Sequence, residues 1–270
     1  MTIAYTDFHN HLIPGVDDGA QDAEFSAGAL AAFRRAGVTQ VIVTPHFEGS
    51  LTHQPARLAA RLAELDAGWA TLRDLVEADA RQFGSPMRVE RGVEVMLDVP
   101  DPDLADERLR LAGTNFVLVE YPGLQLPPVN AAMAIGLLRR AGWTPVVAHP
   151  ERYRNLESVH QLGEFIAAGA LLQVNAGSLL GEYGRTAQRK VLEILGAGLA
   201  SFACADYHAR GEPATARFAR TLGDAGFAAQ AELLLGVNPG RLLRNEMPLP
   251  VPAVGTATAG GPWWRRIFGG

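Results

Sequence analysis

The sequence contains a single cysteine, Cys204, among 270 residues. No internal disulfide can form, and a reducing, cytoplasmic setting is the expected one. No apolar run approaches the ~20 residues that cross a bilayer. The opening Met1-Thr2-Ile3-Ala4-Tyr5 has neither the basic start nor the apolar stretch of a signal peptide. Net charge is −5, with acids and bases scattered. No basic block suits nucleic acid, and no acidic tract suits a disordered tail. No GxGxxG turn follows an apolar run, so the usual dinucleotide fingerprint is missing. No sequence repeat is evident.

What is present is a regular alternation. Apolar residues make up 48% of the chain, enough for a full core. Seven runs read as strands, with cores at Ile3–Phe8, Gln40–Val43, Arg88–Val93, Phe116–Val119, Pro145–Ala148, Leu171–Val174 and Ala200–Ala203. Helical stretches between them stop at glycine: Ala23–Ala36 at Gly37, Pro128–Ala141 at Gly142, Ser158–Ala168 at Gly169 and Thr186–Leu195 at Gly196. Glycine just past a helix end supplies the left-handed residue that terminates it. Phe25, Ala29, Ala32 and Phe33 have the spacing of a core-facing helical stripe. Pro55–Arg81 reads as an additional long helix within one unit. Strand–helix alternation implies parallel strands with crossover helices. Seven such units without a dinucleotide turn favour an α/β barrel, a (β/α)7 TIM-like fold, over an open sheet.

Residues 1–246 read as one barrel unit. Met247–Pro262 is rich in Pro, Ala, Thr and Gly and reads as a flexible linker, so 247–270 forms a tail. The tail ends in Trp263-Trp264-Arg265-Arg266-Ile267-Phe268, which suits either a disordered terminus or a short aromatic-basic anchor for a partner or membrane surface.

The chemistry lies where the strands end. Asp7-Phe8-His9-Asn10-His11 closes the first run, and two histidines one residue apart on a strand face the same way. Asp17 and Asp18 follow in the next loop. His46 follows the second strand, Glu94 ends the third, Glu120 the fourth and His149 the fifth. Asn175, a poorer ligand, ends the sixth, and Asp206 and His208 follow the seventh. Active sites of such barrels gather at the C-terminal ends of their strands. A lone His or Glu there is more often merely hydrogen-bonded or solvated. Six of seven strand ends carrying His, Asp or Glu make independent chance a poor explanation. Five histidines and four carboxylates exceed a single zinc site, and mixed nitrogen and oxygen donors suit zinc, iron or manganese. Two or three cations, bridged by at least one carboxylate, are expected. Such a cluster activates water near neutral pH and clamps an in-line displacement at phosphorus. Arg152, three residues past His149, has the planar fork that matches phosphate. His53 and His160 are expected at the surface.

Together, Asp7-Phe8-His9-Asn10-His11, Val16-Asp17-Asp18-Gly19, Thr44-Pro45-His46, Gly92-Val93-Glu94, Val119-Glu120, Ala148-His149-Pro150-Glu151-Arg152 and Ala205-Asp206-Tyr207-His208 resemble the polymerase-and-histidinol-phosphatase (PHP) superfamily. Within it, the chain is similar to bacterial manganese-dependent protein-tyrosine phosphatases of capsular and exopolysaccharide gene clusters, from about Tyr5 to Asn245. The resemblance implies a distorted seven-stranded barrel and a trinuclear site. His9, His11, Glu94 and Asp206 would hold one metal. Glu94 would bridge to a second, completed by Glu120 and His149, and Asp18, His46 and His208 would hold the third. Arg152 matches the family's phosphate-binding arginine and, with Asp206 and His208, would act at the reacting group. Arg210 would be a further substrate-binding arginine, although it lies closer to His208 than in the family pattern. The implied reaction is attack of metal-bound hydroxide on phosphotyrosine, on the tail of a bacterial tyrosine kinase that regulates surface polysaccharide. Tyr207 is a bulky departure at the middle of the Asp-x-His motif.

Three rivals stand beside this reading. Cys204 and Arg210 have the C-x5-R spacing of cysteine-dependent phosphatases, but the intervening loop has no glycine and contains Asp206, which would repel phosphate. A phosphatase for a small ester such as histidinol phosphate, or a phosphodiesterase, would use the same ligands. A non-catalytic regulatory module would be marked by lost ligands, yet every expected position is filled.

Overall fold

The computed structural model describes residues 4–127 and 131–255. All strand pairings are parallel. The strands are β1 (Tyr5–Asp7), β2 (Val38–Val43), β3 (His46–Glu48), β4 (Arg88–Arg91), β5 (Glu94–Met96), β6 (Phe116–Glu120), β7 (Thr144–Ala148), β8 (Leu171–Asn175) and β9 (Phe202–Cys204). They form two sheets, ordered β1-β2-β4 and β3-β5-β6-β7-β8-β9. Among the described residues there are nine strands where seven are expected, because short β3 and β5 lie just beyond the expected runs Gln40–Val43 and Arg88–Val93. Pro45, which has no N–H to give a ladder, separates β2 from β3, and Gly92-Val93 separates β4 from β5. β9 and β1 approach through an isolated parallel bridge, Asn10 to Tyr207, with His11 N donating to Tyr207 O at 2.9 Å. Asp7 adds to that junction: its Oδ2 accepts from Ala205 N at 2.7 Å.

Alternate residues along the strands sort into two apolar clusters, as a two-residue side-chain period requires. Phe8, Ile42, Phe116, Leu118, Val146, Ala148, Phe202 and Cys204 pack with one another from both sheets. Val41, Val43, Val117, Val119, Val147, Val174 and Ala203 pack in the other cluster with the helices. Two residues beyond Leu118 on β6, on the same side as the inner cluster, stands Glu120, and Asp206 follows Cys204 past the end of β9. The inner apolar column therefore ends in carboxylates.

The helices are α1 (Ala23–Arg35), α2 (Pro55–Phe83), α3 (Ala131–Arg140), α4 (Leu162–Ala167), α5 (Ala176–Leu179), α6 (Gly184–Gly196), α7 (Thr215–Asp224), α8 (Ala228–Glu232) and α9 (Asn238–Leu242). Asp22 caps α1 by accepting from Glu24 N and Phe25 N. Its buried stripe is Ser26, Ala29, Leu30, Ala32 and Phe33, whereas Phe25, expected in that stripe, is 43% exposed in the first turn. The helix expected over Ser158–Ala168 divides into a 3₁₀ turn at Val159–Gln161, capped by Ser158, followed by α4. The expected start of α3, residues 128–130, lies outside the described residues.

The packed unit continues beyond residue 246. Met247–Gly255, expected as the start of a flexible linker, is held by backbone-directed bonds: Asn238 Nδ2 donates to Leu249 O at 2.9 Å, Arg241 Nε to Met247 O at 2.7 Å, and Val254 N to Leu195 O at 2.9 Å. Val251 and Val254 are buried. A Pro/Ala-rich composition suits an extended strap as well as a loose chain, since proline fixes φ and spends no donor. Trp263 to Phe268 lies outside the described residues. No helix among the described residues is long and apolar enough to cross a membrane.

Candidate metal centre

The nine residues expected as ligands meet at one end of the strands. His9 Nε2 lies 3.1 Å from Glu94 Oε2 and 3.2 Å from Asp206 Oδ1. His11 Nε2 lies 3.3 Å from Asp206 Oδ1. His149 Nε2 is 3.2 Å from Glu94 Oε1, and His46 Nδ1 is 3.1 Å from Glu94 Oε2 and 3.5 Å from Glu120 Oε1. Asp18 Oδ1 lies 3.5 Å from His46 Nε2 and 3.4 Å from His208 Nε2. Four overlapping sets of donors result: His9, His11 and Asp206; His9, Glu94 and His149; His46, Glu94 and Glu120; His11, Asp18, His46 and His208. Glu94 stands at the centre, shared between two sets. The grouping differs in detail from the expected one. His46, expected only with Asp18 and His208, also faces Glu94 and Glu120, and His11 joins the outer set.

The local backbone is built for this convergence. His149 (φ 31°) and Asp206 (φ 49°) occupy left-handed conformations that cost non-glycine residues energy. Both sit where a strand gives way to a loop, and the turn swings each side chain back over the strand ends. Gly19 answers a different demand: a Cβ there would fall 2.2 Å from His11 O and 2.3 Å from His11 Cβ. Only glycine lets the Asp17-Asp18 loop fold so closely over His11.

Further side chains set the direction of the rings. Gln173 Nε2 donates to Val174 O, which turns its Oε1 to His9 Nδ1 at 2.8 Å. Asp17 Oδ2 accepts from His11 Nδ1 at 2.8 Å and from His46 N at 3.1 Å, while its Oδ1 accepts from Gly19 N. Each ring thus spends its Nδ1–H outward and aims Nε2 inward, an arrangement characteristic of metal-binding histidines. Burial alone would raise the Asp17 carboxyl, but the His11 ring and the two backbone N–H groups hold it at about 2. Glycine spacing and strand-end position mark Asp18 and His11 in the sequence. They do not mark Gln173, an ordinary strand residue by pattern.

The buried charge must be balanced. Glu94 and Asp206 are buried, and the surrounding histidines hold both well below the usual carboxylate range against the opposing effect of burial. Glu120 is pushed up to about 7 by burial and by the charge of Glu94. Burial disfavours a charged His9, yet Glu94 and Asp206 raise it to about 9. His9 Nε2, His11 Nε2 and Glu94 Oε2 are buried without a hydrogen-bond partner among the described residues. Inward lone pairs facing carboxylates need protons or cations between them. Donor separations of 3.1–3.6 Å are those of two ligands each ~2.0–2.2 Å from one ion. The donor set fits divalent cations.

Arg152 stands at the rim. Its Nη1 donates to Asp206 Oδ2, and its guanidinium lies 4.4 Å from the centre of the Tyr183 ring. Tyr183 was not signalled by the sequence, because it lies in a loop without a strand-end position. Arg210 is exposed and, among the described residues, donates to the backbone oxygen of Asp18 at 3.2 Å. Asn175 donates to Asp206 Oδ2 at 3.1 Å and so helps to hold that carboxylate. Glu151, buried next to Arg152, accepts from Asn175 N at 2.9 Å and is raised to about 7 by burial. Cys204 is fully buried, and burial pushes its thiol far up, so no thiolate is available. His53 and His160 lie at the surface, as expected. A cavity of about 930 Å³ opens onto Asp18, His46 and Glu120, with Phe47, Leu51 and Met96 on one side and α2 on the other.

Comparison with known proteins identifies the family. A family described as capsular polysaccharide synthesis, CpsB/CapC, matches residues 5–244. The tyrosine-protein phosphatase YwqE of Bacillus subtilis (strain 168) is 31% identical over 206 residues, 75% of this chain and 76% of its own. One solved chain comes from the crystal structures of YwqE from Bacillus subtilis and CpsB from Streptococcus pneumoniae, described as unique metal-dependent tyrosine phosphatases. It superposes with a TM-score of 0.71 at 28% identity, covering 92% of this chain and 99% of that one. A phosphotriesterase homology protein from Escherichia coli, 14% identical, shares the fold at a TM-score of 0.51 over 89% of this chain and 99% of that one.

Proposed function

From the premise that the chain belongs to the CpsB/CapC family of capsular polysaccharide synthesis, we propose that it is a metal-dependent protein-tyrosine phosphatase. The observation that carries this reading is the meeting of His9, His11, Asp18, His46, Glu94, Glu120, His149, Asp206 and His208 in one cluster, buried at its inner side and open at its outer one, with Arg152 on its rim. We read the nine short strands as the seven staves of a distorted barrel, each broken pair counting as one. Manganese is the proposed metal, in two or three ions, with iron or zinc able to fit the same donors.

Divalent cations in the cluster would supply Lewis acidity, making water acidic enough to attack near neutral pH and drawing charge from the phosphoryl oxygens. The protein's own groups do the rest. Gln173 and Asp17 fix the tautomers of His9 and His11, so their inward nitrogens stay free to ligate. Arg152 presents a planar fork to the phosphoryl group, and Tyr183 beneath it holds the guanidinium flat. Asp206, which faces His9 and His11 through Oδ1 and Arg152 through Oδ2, would hold a cation and tie the arginine to it. His208 stands at the outer edge beside Asp18. The cavity beside α2 accepts the aromatic ring and its flanking peptide, being far larger than a small ester requires. The leaving phenolate has an ordinary pKa near ~10, so proton donation asks little of the protein.

The physiological substrate on this reading is the phosphotyrosine of a bacterial tyrosine kinase acting in capsule or exopolysaccharide synthesis, and the setting is cytoplasmic. Residues 1–246 carry the activity, with the tail from 247 outside the chemistry. The test is a comparison of kcat/KM for a phosphotyrosyl peptide and histidinol phosphate with the manganese-loaded protein. A clear preference for the peptide is expected. Preference for the small ester would move the assignment to a small-molecule phosphatase, and no turnover of either would favour a regulatory module.

A further inference from the structure

The long helix α2 contributes no donor to the cluster, yet it touches the cluster's scaffolding at two points. Arg61 Nη1 donates to Val16 O at 3.0 Å, and its Nη2 donates to His46 O at 2.8 Å. Val16 begins the turn that carries Asp17 and Asp18. His46 is itself a donor, on β3, an edge strand of three residues. Carbonyls on such an edge lack a ladder partner on the outer side, and Arg61 supplies one. Glu64, one turn along, orients the guanidinium through a 2.6 Å bond to Nη1. Seven residues on from Arg61, on the same helix face, comes Gly68. A Cβ there would fall 2.5 Å from Ile13 Cγ2 and 3.0 Å from Val16 Cγ1. The helix is therefore seated directly on the loop after β1, and Leu65 and Leu72 are buried along that same face.

We propose that Arg61 is a positioning residue that holds the outer donor set, His11, Asp18, His46 and His208, in register. The inference rests on the metal-centre reading above. The two loops have few other ties. Asp17 joins them from the inside through His11 Nδ1 and His46 N, and Arg61 joins them from the outside through Val16 O and His46 O. Without the outer clasp, Asp18 (68% exposed) and His46 (39% exposed) are free to separate. The inner donors His9, Glu94, His149 and Asp206 are buried, and none of them bonds to Arg61. Losing Arg61 should therefore weaken the cation of the outer set most, and through His46 the one shared with Glu94 and Glu120, while the set of His9, Glu94 and His149 is kept.

The test reads binding of manganese alone. Chelator-stripped wild-type, Arg61→Met and Arg61→Lys proteins are titrated with manganese while free ion is followed by electron paramagnetic resonance. Methionine keeps an apolar stem and removes both carbonyl bonds. The weakest manganese site in R61M should lose ~10–100-fold in affinity, the range typical of outer partners of metal ligands, with the tightest site unchanged. R61K, able to serve one carbonyl, should fall between. Unchanged binding in R61M would overturn the proposal. So would a uniform weakening of all sites with a lowered melting temperature in both variants, which would make Arg61 a plain stability residue. Wild-type protein that binds manganese in this graded way without hydrolysing phosphotyrosine would overturn the phosphatase reading while leaving the role of Arg61 intact.

Discussion

His9 Nδ1 lies 2.8 Å from Gln173 Oε1, and the opposite nitrogen of the same ring points between Glu94 and Asp206. An amide in the middle of β8 thereby decides which nitrogen of a histidine on another strand is free to ligate. Replacing Gln173 with leucine removes the acceptor and releases the ring to either tautomer. Manganese affinity should fall ~10–100-fold, with little change in the KM for phosphotyrosyl peptide once metal is saturating. Isothermal titration of the variant checks this; affinity equal to wild type would show that the His9 ring is held by other means.

Arg152 is held by an ion pair and an aromatic stack, but it ligates nothing. Arg152→Ala should keep its manganese and lose substrate affinity. Hydrogen bonds to charged groups contribute about 1.5–3 kcal/mol, or roughly 10- to 150-fold in kcat/KM. Steady-state kinetics at saturating manganese measures it. Unchanged KM and kcat would remove Arg152 from the site.

The cluster titrates in a way that separates stripped from loaded protein. His9 is raised to about 9 by Glu94 and Asp206 from an ordinary value of 6.5. A group raised on folding stabilises fully below its unfolded value and loses that contribution as pH rises through its folded value. Chelator-stripped protein should therefore lose stability between about pH 6.5 and 9. Lowered Glu94 and Asp206 act in the opposite sense and withdraw their stabilisation as the solution becomes acidic. Cations replace the protons on the rings, so loaded protein should hold its melting temperature across the alkaline window and release protons on binding. Melting curves at pH 6, 7.5 and 9, with and without manganese, make the comparison; parallel decline of both forms would contradict it.

Cys204 lies fully buried inside the apolar column with Phe8 and Phe202. Cys204→Ser should leave kcat/KM for phosphotyrosine nearly intact and lower stability by about 1–3 kcal/mol, the cost of burying a hydroxyl. Abolished turnover at full metal content would revive the cysteine route.

The sequence made the donors legible because strand ends are legible. Apolar runs stop abruptly at His9, Glu94, Glu120 and His149, and a parallel topology brings such ends together whatever the intervening details. The breaks within strands were less visible. Pro45 is plain in the sequence, yet whether a proline ends a strand or only interrupts it depends on the neighbouring strand's register. The groups that aim the ligands were hidden for a related reason. Gln173, Tyr183, Glu151 and Arg61 act through contacts 24 to 164 residues away in sequence or through backbone carbonyls, and no local spacing encodes those. The same holds for Met247–Gly255, whose composition suggests slack but whose backbone finds partners on Asn238, Arg241 and Leu195.

The most direct measurement is a manganese titration of chelator-stripped wild-type and Glu94→Gln proteins, with bound metal and phosphotyrosyl-peptide turnover read from the same samples. Glu94 faces His9, His46 and His149 at once, so a neutral amide there should cost at least one cation and nearly all turnover. Wild type should go from no activity to full activity as two or three equivalents bind. Full turnover in excess chelator, or an E94Q protein with wild-type metal content and rate, would contradict the account.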